Sequence, residues 1–148
     1  MAGREVKIYK VEDPTKIEAK TALELCYKLG IKIKKWSKSL ENSDIYVDAL
    51  LGAGINQSPR EPYKTIIKHL LSKKKKGKKI IALDVPSGVD GTTGVAFNPS
   101  VIASTTITFL AMKKGLLTGD AVDHTGDLIF ENVGVSQKKV RPDAILLN

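Results

Sequence analysis

Hydrophobic and polar positions follow two periodicities through the first two-thirds of the chain, one typical of strands and one typical of helices. Residues 5–9 alternate polar and apolar, which predicts a strand. Asp13 and Pro14 then predict the start of a helix, because aspartate caps helix N-termini and proline fits the first helical turn. This helix is predicted to end at Gly30, since glycine suits a left-handed C-terminal position. Its apolar stripe consists of Ala22, Leu25, Cys26 and Leu29.

The rest of the chain continues this alternation. Apolar side chains at helical spacing predict a second helix over residues 59–72, with Pro59 and Pro62 in or before its first turn. The remaining strands are predicted over residues 31–33, 44–51, 79–84, 104–110 and 127–131. Alternating strands and helices imply right-handed crossovers and a mainly parallel sheet covered by helices. We therefore expect an α/β fold in a single domain over residues 1–148.

Composition narrows the setting of the protein. The chain has 148 residues, of which 42% are hydrophobic and 27% are charged, close to globular averages and unlike disordered chains. No apolar run approaches the roughly 18 residues of a membrane span, so we expect no membrane partner. Cys26 is the single cysteine and cannot form an internal disulfide, and its place on the predicted stripe favours a small core residue. We expect a reducing, cytoplasmic setting.

The net charge of +8 raises the question of an acidic partner. The densest basic cluster, within residues 73–79, directly follows the apolar positions of the second predicted helix. Cations there complement the negative end of the helix dipole, and the aromatic residues that single-strand binders use make up only 5% of the chain. We interpret the cluster as a solvated helix end and expect no nucleic-acid partner.

Two aspartates come at the ends of predicted parallel strands, where ligands bind in folds of this class. Asp48 precedes a Gly-Ala-Gly turn at residues 52–54, and Asp84 precedes Ser87. A glycine-rich loop that runs into a helix N-terminus suits a phosphate. This loop has neither the third glycine of the dinucleotide fingerprint nor a Walker-type lysine, so the signal is weak.

A carboxylate beside a phosphate repels the ligand, and a bound cation would remove that repulsion. Asp48 and the Ser87 hydroxyl are hard oxygen donors, which suit an alkali or alkaline-earth ion better than zinc or copper. The residues alone leave another interpretation open, in which Asp48 and Asp84 hydrogen-bond nearby loops and Ser87 is a turn residue. His69 and His124 are predicted at the surface, and no hydrolytic or zinc motif occurs in the sequence.

Taken in order, these strand-end sequences resemble the NAD(P)H-hydrate epimerase family, whose domain is of the YjeF N-terminal type. The segments that carry the resemblance are residues 47–54 (Val-Asp-Ala-Leu-Leu-Gly-Ala-Gly), 60–63 (Arg-Glu-Pro-Tyr), 82–90 (Ala-Leu-Asp-Val-Pro-Ser-Gly-Val-Asp) with Thr93 and Gly94, 106–110 (Thr-Ile-Thr-Phe-Leu) and 113–119 (Lys-Lys-Gly-Leu-Leu-Thr-Gly). The resemblance implies a Rossmann-like three-layer α/β sandwich. It also implies interconversion of the R and S forms of hydrated NADH or NADPH, so that a separate dehydratase can restore the cofactor.

The resemblance assigns roles to particular residues of this chain. Asp48 and Ser87 would hold a potassium ion, and Asp84 is the expected acid/base nearest the hydrated carbon. The residues expected to contact the hydrated dinucleotide are Gly52, Ala53, Gly54, Ile55, Asn56, Gln57, Ser58 and Asp84. Lys113 also matches a family position, although we interpret it as a surface lysine.

The sequence departs from the family at one point. The family carries a loop of the type Gly-Asn-Asn-Gly-Gly-Asp-Gly after its first strand, and this chain has no such loop. We expect the chain to begin at the family's second strand and to expose an apolar strip that favours a homodimer or other self-association. Two functions follow as hypotheses: epimerisation, or a catalytically silent relative that keeps the fold as a binding or assembly module.

Overall fold

The computed structural model of the chain describes residue 3, residues 5–37 and residues 39–134. The chain divides into two units, residues 1–41 and residues 42–148. The single domain over residues 1–148 stays a prediction.

The first unit is a short parallel strand pair with one helix between the strands. Strand β1 (Ile8–Lys10) pairs in parallel with β2 (Ile33–Lys35), and helix α1 (Ile17–Lys28) connects them. The predicted N-cap at Asp13 is wrong. Helix α1 follows Lys16 without a side-chain cap, and Asp13 instead accepts a 2.6 Å hydrogen bond from Lys10.

Helix α1 buries little of its apolar stripe. None of its residues is buried, and Cys26 is only half-buried, so the predicted core position of Cys26 is wrong. Two strands of three residues each give the helix a small surface to pack on. Gly30 has a φ of 72°, the left-handed conformation that the sequence predicted at the end of this helix.

The second unit holds a four-stranded parallel sheet. Its strands are β3 (Ile45–Asp48), β4 (Lys79–Leu83), β5 (Thr105–Phe109) and β6 (Asp127–Glu131), hydrogen-bonded in the order β3-β4-β5-β6. Helix α2 (Tyr63–Lys75) connects β3 to β4, and the short helix α3 (Val122–Thr125) precedes β6. All three strand pairs are parallel. These parallel sheets and their helices confirm the predicted α/β class.

The second unit buries apolar side chains in two groups, one formed by α2 and the sheet and the other by Val85, Val89, Leu116 and Ala121. Helix α2 begins at Tyr63, after Pro62, and so starts later than predicted. It buries Ile66, Ile67 and Leu70, while the sheet buries Tyr46 and, on β4, Ile80 and Ala82. These apolar side chains hold β3 and β4 in place beneath the helix.

Strand β3 alternates between buried and exposed side chains. Tyr46 and Asp48 are buried, whereas Ile45 is 49% exposed and Val47 is 58% exposed. Ile45 and Val47 lie on the face of β3 opposite the buried side chains, and this face presents apolar side chains to solvent. The exposed apolar strip expected from the sequence therefore includes Ile45 and Val47.

The lysine cluster is not only a solvated helix end, because two of its lysines make contacts with other parts of the unit. Lys74 donates to the carbonyl of Ala103 at 3.2 Å and to Oγ of Ser104 at 2.8 Å, and so ties α2 to the start of β5. Lys78 pairs with Asp44 at 3.2 Å.

Within the described residues, no helix is both long enough and apolar enough to cross a bilayer.

Candidate functional site

The carboxyl ends of β3, β4 and β5 meet at one edge of the four-stranded sheet, because the strands are parallel neighbours. Asp48 is the last residue of β3, and it pairs in register with Ala82 of β4. Asp84 directly follows β4. The fold therefore places both predicted aspartates on neighbouring strands at the edge where ligands bind in such sheets.

Asp48 and Ser87 are in direct contact. The Ser87 hydroxyl donates to Oδ1 of Asp48 at 2.6 Å, and the Ser87 backbone N–H donates to Oδ2 at 2.8 Å. The Leu50 N–H donates to Oδ1 at 3.3 Å, and the Leu51 N–H donates to Oγ of Ser87 at 2.9 Å. Asp48 and Ser87 are each only 1% exposed, so these bonds fix both side chains.

The carboxyl group of Asp48 lacks a positive partner among the described residues, whose ion pairs all involve other acids. Burial raises the pKa of Asp48, and the hydrogen bonds from Ser87 and Leu50 only partly oppose that effect. A cation beside Asp48 would compensate the buried charge. The available ligands, a carboxylate, a hydroxyl and the Leu51 carbonyl 3.4 Å from Oγ of Ser87, are all oxygens.

The donor set does not suit a transition metal. In the described part of the chain, no group of three or more His, Cys, Asp or Glu residues comes together. Zinc and copper prefer sulfur and imidazole ligands, whereas weakly hydrated or hard cations accept carbonyl, hydroxyl and carboxylate oxygens. The residues present therefore fit an alkali or alkaline-earth ion.

Asp84 lies in a tight turn, with a φ of 70° that is uncommon outside glycine. Its backbone N–H donates to the carbonyl of Ile107 at 2.7 Å, which fixes the turn against β5. The ammonium group of Lys113 contacts Oδ1 of Asp84. The interpretation of Lys113 as a surface lysine is wrong, because its side chain is 21% exposed and joins the site. The position of Lys113 shortly after a predicted parallel strand is the feature of the sequence that could have indicated a place at the site.

The glycine-rich loop after β3 lines a cavity of about 330 Å³. The lining residues are Leu51, Gly52, Gly54, Ile55, Asn56 and Gln57. The loop does not run directly into a helix N-terminus, as expected for a phosphate cradle, because residues 59–62 separate it from α2. Any ligand phosphate in this cavity would meet loop atoms rather than the end of α2.

The two histidines lie outside this cluster. His124 belongs to α3, is half-buried, and places Nδ1 2.9 Å from the carbonyl of Val101 and 3.2 Å from Oγ of Ser100. Its predicted surface position is therefore wrong, and its contacts are those of a structural residue. His69 is also half-buried, on α2.

Comparisons with known proteins agree on one family. The family model described as "YjeF-related protein N-terminus" matches residues 1–115. The "Bifunctional NAD(P)H-hydrate repair enzyme Nnr" of Escherichia coli is 45% identical over 95 residues, which cover 64% of this chain and 18% of that protein. The protein of the same name from Pyrobaculum aerophilum is 33% identical over 145 residues, 90% of this chain and 28% of that protein.

A solved structure supports the fold. The crystal structure of yeast YNL200c aligns with a TM-score of 0.62 and 18% sequence identity, covering 82% of this chain and 51% of that chain. At that identity the likeness speaks for the fold alone. The chain spans only 18% of the Escherichia coli relative and 28% of the Pyrobaculum aerophilum relative.

Proposed function

Since the chain belongs to the family of YjeF-related protein N-termini, we propose that it interconverts the R and S forms of hydrated NADH or NADPH. The single observation that carries this proposal is that Asp84 and the Asp48–Ser87 pair lie at the carboxyl ends of neighbouring parallel strands, where the strand that bears Asp48 leads into the glycine-rich loop. The open cavity of about 330 Å³ along the loop offers a surface for part of a dinucleotide. Related proteins of the same family carry the name NAD(P)H-hydrate repair enzymes.

Asp84 is the proposed acid/base group. Epimerisation at the hydrated carbon needs a bond to that carbon to break and re-form on the other face, whether by loss and return of water or by ring opening. Either route moves a proton, and a carboxylate at hydrogen-bond distance from the reacting group can take and return it. The side chain of Asp84 is 31% exposed, so it is accessible to a bound molecule. The loop at residues 52–58 is proposed to hold the dinucleotide.

We further propose that Asp48 and Ser87 hold a potassium ion. The support is the buried, uncompensated carboxylate and the all-oxygen ligand set. A potassium ion held by Asp48 and Ser87 would supply positive charge beside the carboxylate and so weaken its repulsion of a ligand phosphate. Asp48 and Ser87 would hold the ion in place and take no part in proton transfer, because the hydrogen-bond donors around them restrain both side chains.

The remaining proposals concern the setting and assembly of the chain. We propose self-association through the edge of β3, where Ile45 and Val47 are exposed on an edge strand. We also propose a cytoplasmic location, because a single half-buried cysteine needs no oxidising compartment. A nucleic-acid partner is not proposed, since Lys74 and Lys78 of the basic cluster are occupied by contacts within the unit.

The test of the function uses the R form of hydrated NADPH together with a dehydratase that accepts only the S form. In potassium buffer, adding the chain should raise the rate of NADPH recovery from the R form above the spontaneous rate. The Asp84→Asn variant provides the matched inactive protein. If the chain gives only the spontaneous rate, the binding or assembly role becomes the better hypothesis and epimerisation is rejected.

A further inference from the structure

Lys113 is held at the site by two acceptors. It follows the carboxyl end of β5, and its ammonium group contacts Oδ1 of Asp84 while also donating to the carbonyl of Phe109 at 2.7 Å. One acceptor is the side chain that follows β4, and the other is the backbone at the end of β5. Lys113 therefore links the ends of two neighbouring strands.

All the hydrogen bonds to the Asp84 carboxyl group in the described residues converge on one oxygen. Oδ1 accepts hydrogen bonds from Nζ of Lys113, from the Thr108 hydroxyl at 3.4 Å and from the Phe109 N–H at 3.3 Å. No described residue donates to Oδ2. Because the side chain is 31% exposed, Oδ2 is the oxygen left for a bound molecule.

The stem of Lys113 lies beside the loop that lines the cavity. A Cβ placed on Gly91 would lie 3.5 Å from Cγ of Lys113 and 3.3 Å from Cβ of Ala53. The Gly115 N–H donates to the carbonyl of Gly91 at 3.0 Å, which fixes this arrangement. Gly91 thus packs between Lys113 and Ala53 of the loop after β3, so that Lys113, Asp84 and this loop are neighbours.

We infer that Lys113 is a positioning residue that fixes Oδ1 of Asp84 and thereby presents Oδ2 to the substrate. This inference rests on the proposed epimerisation. In the ring-opening route, Oδ2 takes the proton of the hydroxyl on the hydrated carbon while the ring carbon–nitrogen bond breaks, and returns it when that bond re-forms on the other face, so the carboxylate is regenerated and no oxidant or reductant is consumed. Lys113 acts only through Asp84 and does not itself exchange the proton.

The kinetic test compares Lys113→Met with Lys114→Met. Lys114 is the adjacent lysine, is exposed, and forms no ion pair within the described residues, so it controls for the loss of one positive charge. We expect Lys113→Met to lower kcat by about tenfold or more with KM within about twofold, because only orientation is lost. Lys114→Met should leave both constants unchanged, and Lys113→Arg should recover part of the rate.

A double variant separates positioning from direct substrate contact. If Lys113 acts through Asp84, Asp84→Asn with Lys113→Met should be no slower than Asp84→Asn alone, since effects through one group do not add. An unchanged kcat in Lys113→Met would overturn the inference. A raised KM that persists in the Asp84→Asn background would overturn it too, because Lys113 would then contact the ligand directly.

Lysine labelling provides a readout that does not depend on turnover. An amine-reactive reagent followed by mass spectrometry should label Lys113 more slowly than Lys114, and Asp84→Asn should speed the labelling of Lys113 alone. If Lys113 is labelled at the same rate in Asp84→Asn and in the unaltered chain, the pairing is rejected, whatever the turnover. If labelling depends on Asp84 but the unaltered chain gives no turnover, the pairing stands and the proposed function is rejected, together with the catalytic purpose of the pairing.

Discussion

The two aspartates at the sheet edge occupy opposite environments. Asp48 ends the edge strand β3, is 1% exposed and accepts hydrogen bonds only from neutral donors. Asp84 follows the inner strand β4, is 31% exposed and contacts the ammonium group of Lys113. Among the residues that the structure describes, Asp84 has a countercharge and Asp48 has none.

This difference assigns separate tasks to the two groups. A buried carboxylate without a positive partner is stabilised by a proton or by a bound cation, so Asp48 is suited to holding an ion. An accessible carboxylate with one fixed and one free oxygen is suited to proton exchange, which is the task proposed for Asp84. Variants that remove one group at a time can show whether the tasks are in fact separate.

The largest expected effect is on turnover in Asp84→Asn. The amide keeps the shape and one acceptor oxygen but cannot take and return a proton, so we expect a loss of about 10² to 10⁴ in kcat. Affinity for the dinucleotide should change far less. Steady-state kinetics with the hydrated cofactor measure both, and Asp123→Asn, an exposed aspartate on α3, is the matched control. Equal rates for Asp84→Asn and the unaltered chain would remove Asp84 from the mechanism.

The second effect is on stability and binding in Asp48→Ala. Near pH 3.8, below the raised pKa of Asp48, removing the carboxyl group leaves the Ser87 hydroxyl, the Ser87 N–H and the Leu50 N–H without their acceptor, and we expect the free energy of unfolding to fall by about 1–3 kcal/mol. Urea unfolding checks this. The control is Asp44→Ala, whose fully exposed carboxylate should contribute far less to stability, because solvent screens its ion pair with Lys78.

The same Asp48→Ala variant tests the bridging ion. If the ion separates Asp48 from the ligand phosphates, potassium affinity and NADPH affinity should fall together, and potassium should no longer strengthen NADPH binding. Isothermal titration of NADPH with and without potassium measures the dependence. Unchanged NADPH affinity in potassium buffer would show that no ion links the two.

The comparison of the two aspartates also shows how far sequence reasoning reaches. The positions of Asp48, Asp84 and Ser87 at strand ends were predictable, because apolar runs followed by polar turns mark the carboxyl ends of parallel strands. The contact between Lys113 and Asp84 was not, since it joins residues from different strand ends and depends on the path of the turn after β5. Sequence periodicity carries no information about that path.

Burial was predicted less well than strand position. An apolar run identifies a strand such as β3 but does not say whether both faces are covered, and Val47 is 58% exposed. The same limit applies to Cys26, whose helical spacing was read correctly while its burial was not. Covering depends on elements distant in sequence, which a local pattern does not specify.

A third, smaller effect distinguishes Asp48 by pH. Burial raises the pKa of Asp48 in the folded chain above its ordinary value of 3.8, so the folded state binds more protons than the unfolded state between the two values. The contribution of Asp48 to stability is therefore lost as pH rises from 3.8 through the raised pKa. The difference in unfolding free energy between the unaltered chain and Asp48→Asn should fall over that range.

Potassium should reverse this loss, because a bound cation stabilises the ionised carboxylate. Thermal unfolding in potassium chloride and in tetramethylammonium chloride at equal ionic strength measures the reversal. A stability difference that is independent of both pH and cation would mean that Asp48 is held by its hydrogen bonds alone. Such a result would contradict the proposed role of Asp48 in holding a cation, and with it the difference in task between the two aspartates.

The smallest effect concerns the edge strand that carries Asp48. If a second copy of the chain covers β3, Val47→Lys should weaken self-association by roughly tenfold, because burying a valine contributes about 1.5 kcal/mol and a buried lysine opposes contact. The control, Val122→Lys, changes a 56% exposed valine on α3 and should leave association unchanged. Sedimentation velocity over a range of concentrations measures both variants. Because Asp84 follows the inner strand β4, its contribution to turnover should survive Val47→Lys, and a chain that is monomeric at every concentration would contradict the proposed use of the β3 edge.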